Sequence, residues 1–501
     1  LASNPQLETE ALPPPTKPYF DLAEIRSAPP VRTGPDRPLA AVPDAAGDYL
    51  NAGRFLAEFG HLVRRAPELG RWFIWNGSNW EEDRLERVLD MATGTIDQLR
   101  DWVAEADGVD ELKRRTAHYA ASSRAGRRDS LLAIAGTDPN VVVAVNQLDT
   151  HQYLLACRNG TVDLRSGQLR PARREDLITR GVAVDYDPDA DPSEWLKFIT
   201  TIFQSDTDLI DFVQRLLGYC LSGAIHEHVL PVVYGLGANG KSTLLKVMQG
   251  LMGDHAMTAP EGLIIRRDHE PHPERIAALR GRRLVVSNEL EANATLAEQT
   301  VKMLTGGDTL SARELYGRRF NFEPTHKMVV VSNHKPRVHG TDDAIWRRVR
   351  LIPFTMTIPT DQQEPDLARR LIDEHGPAVL AWLVRGAVTW SADGLGSAPA
   401  VDAATEEYRS ESDTFGGFLA ECTVEVPTAT CRFGDLWDRW RQWCDRAGER
   451  PGRTQDFRAA LEDHGLNIES YQGAKTVRGL GIVVSDQERF DQEELEIGEG
   501  P

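Results

Sequence analysis

The sequence predicts an α/β protein whose core is a parallel sheet covered by helices, with a mixed α+β region ahead of it and a small domain behind. Three observations predict this. From about 216 to 390, strand-like runs ("VLPVVY", "RRLVVSN", "HKMVVVSN", "VRLIPF") alternate with helical segments, as in βαβ units. The first of these runs leads into "GLGANGKST", a glycine-rich turn, and then into "STLLKVMQGLMG", whose apolar residues recur at helical spacing up to Gly253. The end of the chain reads helix, helix, Gly-punctuated hairpin, which is the order of a winged helix.

At 501 residues the chain has room for roughly three domains. Its formal charge of −19 excludes a protein that coats nucleic acid over its whole surface, so any contact with a polyanion is local. The five cysteines, at 157, 220, 422, 431 and 444, lack CxxC or paired His spacing, so neither a zinc site nor a disulfide framework is indicated, and a reducing cytoplasm fits. No run approaches eighteen apolar residues, and no signal-peptide pattern opens the chain, so no membrane partner is expected. The chain begins at Leu1 rather than Met, as a piece of a longer protein would.

Residues 1–45 carry ten prolines and read as a tail or linker. The region 46–215 is mixed α+β, with an amphipathic helix "GDYLNAGRFLAEFGHLVR", a hairpin turning at Asn76-Gly77, and another built on Asn159-Gly160 and Ser166-Gly167. Between the hairpins lies a basic stretch with Lys113, Arg114, Arg115, Arg124, Arg127 and Arg128, read either as a phosphate-backbone track or as a solvated face. The core spans 216–390, a connector and winged helix 391–485, and an acidic tail 486–501. In the winged helix, Arg453, Arg458, Lys475 and Arg478 are candidate DNA contacts, and the three tryptophans of "DLWDRWRQWC" read as core or as a protein-docking face.

Chemistry concentrates in the core. Gly235, four residues, then Gly240, Lys241 and Ser242 satisfy the P-loop pattern: glycines let backbone amides close around a phosphate, Lys241 reaches the β/γ oxygens, and Ser242 holds Mg²⁺. Gly237, Asn239 and Thr243 complete the nucleotide-binding candidates. Such a site needs an acid at a neighbouring strand end, and "RRLVVSNELE" supplies Glu289, with Glu291 two residues on. Asn333 ends a third strand, where an amide can sense the γ-phosphate or orient water. Arg347 and Arg348 stand just before a fourth strand, as an arginine finger or as an ordinary ion-paired couple. Between 313 and 350 nine Lys or Arg face four Asp or Glu, net +5, a local strip able to hold a strand by its phosphates with Tyr316 or Phe320 available for stacking. Phe320 and Phe322 read equally as strand core.

The ordered set "GLGANGKST", "LRGRRLVVSNELE", "VKMLTGGDTLSARELYGRRF", "THKMVVVSNHKPRV" and "DDAIWRRVRLIPF" resembles the superfamily 3 helicases, specifically the phage and plasmid primase-helicase group with the poxvirus helicase-primase. "RNGTVDLRSGQLR" through "LIDFVQRLLGYCLSG" is similar to the domain preceding that core, so the resemblance covers about 50 to 485. It implies an AAA+-like core using ATP and Mg²⁺. Lys241 and Ser242 match Walker A, Glu289 the Walker B catalytic acid and a metal contact, Asn333 the sensor, and Arg348, preferred over Arg347, the arginine finger. The segment 302–326 matches the pore hairpin, with Lys302 and Asp308 shaping it and Arg313, Tyr316, Arg318 and Arg319 as DNA contacts. Here Asn288 stands where many members have a second acid.

The resemblance further implies self-association into a ring, a hexamer, moving on single-stranded or forked DNA. Primer synthesis is not expected from these residues: either the Pro-rich start is the linker from a primase domain missing from this sequence, or a separate primase is a partner. The expected function is a replicative DNA helicase of a phage, prophage or plasmid. The alternative is an origin-binding initiator or loader that uses ATP for assembly.

Overall fold

The computed structural model describes residues 47–266, 272–291, 294–313, 319–338, 343–471 and 474–483. The Pro-rich start, the acidic tail, Tyr316 and Arg318 lie outside the described residues. The chain divides into two compact units between Tyr186 and Asp187.

Among its described residues the first unit holds helix Asp48–Phe59, four further α-helices and two three-stranded antiparallel sheets. The Asn76-Gly77 hairpin is present: Gly77 takes φ +99°, and Asn76 Oδ1 accepts from the Ser78 and Asn79 amides at 2.9 and 2.8 Å. In the second hairpin the turn residues are Arg158 and Asn159, and Gly160 is already paired with Cys157. A Cβ at Gly160 would lie 2.5 Å from the Arg170 carbonyl oxygen, so close strand approach requires the glycine there. The basic stretch forms two helices, Val109–Ser122 and Arg127–Ala135, separated at Gly126.

The second unit is built on a five-stranded sheet, β1 Leu230–Tyr234, β2 Ala256–Thr258, β3 Leu284–Leu290, β4 Lys327–Ser332 and β5 Val349–Pro353, all parallel in the order β5-β1-β4-β3-β2. Burial on both faces explains why these strands are continuous apolar runs rather than alternating ones. Leu230, Val232, Val285, Met328, Val330, Val349 and Leu351 belong to one large core cluster. Val233, Val329 and Ile352 instead meet Leu244 and Leu245 of helix Lys241–Met252 and Val213, Leu216 and Leu217 of helix Thr207–Leu221.

Residues 187–215, read above with the N-terminal region, therefore lie in the second unit, because the apolar face of helix Thr207–Leu221 has its partners there. That helix also crosses helix Gly376–Asp393 in backbone contact. A Cβ at Gly218 would lie 2.2 Å from the Ala387 nitrogen, and one at Gly386 2.1 Å from the Gln214 oxygen.

The unit ends in helix Thr414–Cys422, strand Thr423–Arg432, helices Phe433–Ala447 and Thr454–Asp463, and strands Ile468–Tyr471 and Ala474–Ile482. The last strand is central in an antiparallel sheet between the other two. Trp440 is buried with Phe415, Phe418 and Phe457, while Trp437 and Trp443 pack against that cluster, so the tryptophan stripe is core.

Candidate nucleotide site

β1 runs into the glycine loop with no room to spare. Gly235 has φ +156°, and a Cβ there would meet the Phe354 carbonyl oxygen at 2.2 Å and Asn239 Nδ2 at 2.6 Å. Gly240 has φ +86° and would place a Cβ 2.4 Å from Ile202 Cγ2. Both glycines are required by conformation and by contact. Ala238 also takes a left-handed φ of +59°, and its carbonyl accepts from the Ile358 amide at 2.7 Å.

Helix Lys241–Met252 starts directly from Gly240, which supplies no capping side chain; the Lys241 amide donates to Asn239 Oδ1 at 3.4 Å, and the Ser242 and Thr243 amides that follow stand at the positive end of the helix dipole, where an anion binds. Ser242 is exposed in that first turn, Thr243 is half-buried, and Gly237 borders open space. Asn239 is turned inward. Its side-chain amide donates to Phe354 O at 3.3 Å and to Leu236 O, so it shapes the loop from behind.

The connections leaving β1 and β4 run to opposite edges of the sheet, which makes the crevice between these neighbouring strands a topological switch point. Lys241, Asn333 and Glu289 meet across it. Lys241 Nζ donates to Gly235 O and, at 3.0 Å, to Asn333 Oδ1. Asn333 Nδ2 donates in turn to Glu289 Oε1. An amide thus turns its oxygen to an ammonium and its nitrogen to a carboxylate, from the ends of β1, β4 and β3. Burial pulls the Lys241 ammonium below the usual lysine range, and the charge of Glu289 opposes that shift.

A β-bulge delivers Glu289. The β3–β4 register runs Val286 opposite Val329 and then Glu289 opposite Val331, so β3 holds one extra residue, and Ser287 Oγ accepts the Val331 amide at 2.9 Å. The insertion reverses the strand's alternation and gives Glu289 the place that regular pairing would give to position 288. Among the described residues, no group of three or more His, Cys, Asp or Glu is arranged to hold a metal ion. The donors that fit Mg²⁺ beside a phosphate are the exposed Ser242 hydroxyl and the Glu289 carboxylate.

Arg348 donates from Nη1 to Ala344 O at 2.7 Å and from Nε to Thr305 Oγ1 at 3.1 Å, so in this single chain its guanidinium bonds inward. Arg347 is the exposed member of the pair. The short helix Asp343–Trp346 and the start of β5 at Val349 fix which neighbour points outward.

Strands Leu310–Arg313 and Arg319–Phe322 form the expected hairpin. Leu310, Ala312 and Phe322 are buried and Phe320 packs against the core, which settles the two phenylalanines as core residues, with Arg280 5.1 Å over the Phe320 ring. On the other face, exposed Arg313 stands directly opposite exposed Arg319. Lys302 lies earlier, half-buried in helix Glu298–Thr305, not at the hairpin tip.

In the first unit, Arg115 is held by Glu111 at 2.6 Å and stacks 4.8 Å over Trp102, and Arg127 pairs with Asp48 at 2.8 Å. Lys113, Arg114 and Arg124 remain exposed. In the C-terminal subdomain Arg453, Arg458 and Arg478 pair with Asp456, Glu462 and Glu469.

Fold and site together define an α/β protein with a polar relay at the switch point of a parallel sheet. Residues 52–204 match the D5 N terminal like family, and residues 233–348 a family of unknown function (DUF5906). The chain is 27% identical over 331 residues to "Putative helicase L207/L206" of Acanthamoeba polyphaga mimivirus, covering 61% of this chain and 34% of that protein. It is 29% identical to "Putative helicase 184R" of Invertebrate iridescent virus 6, over 42% of this chain and 23% of the relative. It is 24% identical to "Putative primase C962R" of African swine fever virus, over 57% and 32%.

The chain is similar to phage and viral primase-helicase proteins, and spans about a quarter to a third of the length of these relatives. The apo structure of the NrS-1 C terminal region aligns over 84% of this chain and 96% of its own at 10% identity, with a TM-score of 0.48. No helix of the described residues is long and apolar enough to cross a membrane.

Proposed function

We propose that this chain is the ATP-driven motor of a replicative DNA helicase of the superfamily 3 kind, with an AAA+-like P-loop core. The observation that carries the reading is the relay from Lys241 through Asn333 to Glu289 at the ends of three strands, next to an uncapped helix start. The loop amides and Lys241 bind the phosphates of ATP, and Ser242 with Glu289 would hold Mg²⁺, which supplies charge neutralisation there. Glu289, an exposed carboxylate, accepts the proton of the attacking water, and Asn333 orients that water or reports on the γ-phosphate.

Arg347, rather than Arg348, reaches a neighbouring subunit's nucleotide. Catalysis shared in this way requires head-to-tail contacts, and these close into a ring, a hexamer by the resemblance given above. Arg313 and Arg319 are like charges opposed across a hairpin, an arrangement that costs stability in isolation and is relieved by a bound anion. Single-stranded DNA supplies one, so they are the contacts proposed within the ring, with Tyr316 and Arg318 beside them in sequence.

The helix-strand-helix-helix-hairpin order of the C-terminal subdomain supports a winged helix. Helix Thr454–Asp463, the element such a fold would lay in a DNA groove, exposes Asp456, Glu462 and Asp463 against Arg458. That acidic face disfavours the origin-binding initiator. A separate primase fits as a partner, because relatives of this chain carry both helicase and primase names.

The test is strand displacement on forked DNA with ATP, comparing the unsubstituted chain with Lys241→Ala, Arg347→Ala and Arg348→Ala. Unwinding that disappears in the first two is expected. Sequence-specific duplex binding without unwinding would overturn the motor and restore the initiator.

A further inference from the structure

Helix Pro399–Ser412 touches the segment that follows Asn333 and the one that carries Arg347, although none of its residues lies in the polar relay. Tyr408, 1% exposed, donates its hydroxyl proton to Pro336 O, three residues beyond Asn333. The same ring meets Trp346 edge-on at 5.1 Å, immediately before Arg347. Lys335 Nζ pairs with Glu411 at 2.7 Å and Glu407 at 3.8 Å, and lies 5.7 Å over the ring of Tyr234, the last residue before Gly235. Arg409 holds Asp343 at 2.5 Å, and Thr405 Oγ1 accepts from the Leu351 amide of β5 at 2.9 Å.

The far end of this helix is fixed to the C-terminal subdomain. Asp413 accepts from the Gly416 amide at 2.8 Å, capping helix Thr414–Cys422, and also meets His464 Nε2 at 3.1 Å. Arg337, four residues past Asn333, reaches Glu449 of the same subdomain at 3.4 Å. The segments bearing Asn333 and Arg347 therefore share one support, Lys335 links the first of them to Tyr234 ahead of the glycine loop, and the support continues into the three-stranded subdomain.

We propose that Tyr408 and Lys335 are positioning residues for nucleotide hydrolysis, and that through them helix Pro399–Ser412 holds the Asn333 and Arg347 segments in register with the glycine loop. The proposal rests on the ATPase reading given above. Neither side chain belongs to the relay of Lys241, Asn333 and Glu289, so their loss is expected to misplace the groups that act on the transferring phosphate more than it weakens binding. A buried tyrosine whose hydroxyl has one backbone partner is suited to this, since the ring packs and the hydroxyl sets the distance to a single carbonyl.

The experiment measures kcat for ATP and the equilibrium Kd for Mg-ATP on the full chain, with thermal midpoints, for Tyr408→Phe, Lys335→Gln and Lys335→Arg. Tyr408→Phe keeps the ring and the fold, and Lys335→Arg keeps the charge. Expected are a fall in kcat of about tenfold for Tyr408→Phe and Lys335→Gln, a Kd changed by less than about twofold, and near-complete rescue in Lys335→Arg. Unchanged kcat in both variants overturns the proposal, as does a loss of kcat that tracks a lower thermal midpoint and weaker binding, the mark of a merely structural contact. An unsubstituted chain that does not hydrolyse ATP defeats the functional reading itself, a result distinguishable from either.

Discussion

The two ends of the parallel sheet each bury a lysine, and they use it in opposite ways. At the C-terminal ends of the strands, Lys241 is 4% exposed and shares its protons between the Gly235 carbonyl and a side-chain amide that leads to an exposed carboxylate. At the N-terminal ends, Lys327 is 3% exposed and donates to the carbonyls of Ser222, Ala224 and Thr325, 4.7 Å from the Tyr219 ring. Arg283 beside it donates to Leu221 O at 2.6 Å.

Leu221 ends helix Thr207–Leu221, and Ser222 and Ala224 follow it, where final carbonyls lack helical partners and the dipole is negative. Two buried cations therefore close a helix. Burial lowers Lys327 to about 7, with Cys220 opposing and Arg283 adding to the shift. A buried lysine is thus no signature of catalysis by itself. The difference lies in whether its partners can be exchanged for a substrate.

The sharpest way to break this comparison is to truncate each lysine. Lys241→Ala is expected to lower ATP turnover by at least about a hundredfold while leaving the urea midpoint nearly unchanged. Lys327→Ala leaves a cavity and three carbonyls without their donor, and is expected to cost about 3 to 5 kcal/mol of stability. Its ATP affinity in the folded fraction should be retained. Equal effects of both substitutions on stability would erase the distinction.

A second test uses acid. His326, next to Lys327 and 2% exposed, has neither ring nitrogen hydrogen-bonded, and burial lowers it from 6.5 to about 4. The unfolded chain therefore binds a proton between those pH values that the folded chain refuses. The associated stability is fully present above about 6.5 and is lost as pH falls through about 4, up to about 3 kcal/mol. Denaturation midpoints from pH 7 to 4 should fall less steeply in His326→Leu than in the unsubstituted chain. Parallel curves would remove His326 from the account.

What could be read from the sequence follows the range of the physics. The glycine loop was legible because backbone conformation at Gly235 and Gly240 and the buried run of β1 are local properties. The order of Lys241, Glu289 and Asn333 could be placed at strand ends for the same reason, and the structure brings all three together. The bulge that turns Glu289 toward Asn333 could not, because register depends on β4.

That Arg347 is exposed while Arg348 bonds inward follows from the phase between a four-residue helix and β5, which no periodicity over so short a stretch reveals. Strand Thr423–Arg432 escaped notice because it contains Pro427 and shows solvent residues such as Val424 and Val426 in place of an alternating apolar face. Arg283 and Lys327 at the sheet's other end carry no local signal, because only the end of a helix distant in sequence gives them meaning.

The smallest expected effect concerns the exposed counterpart of those buried cations. Arg313 and Arg319 face each other across the hairpin on its solvent side. Like charges directly opposed on an antiparallel pair cost stability, so Arg313→Ser should leave the fold unchanged or stabilise it by about 0.2 to 1 kcal/mol. The same change removes one phosphate contact, and the dependence of log K on log salt for a single-stranded oligonucleotide should become shallower by about 0.7. Stability and DNA affinity then move in opposite directions at one residue, as expected where a charge is retained for its ligand. A variant that is less stable and keeps the original salt dependence would place Arg313 with Lys327, among the cations that serve the fold.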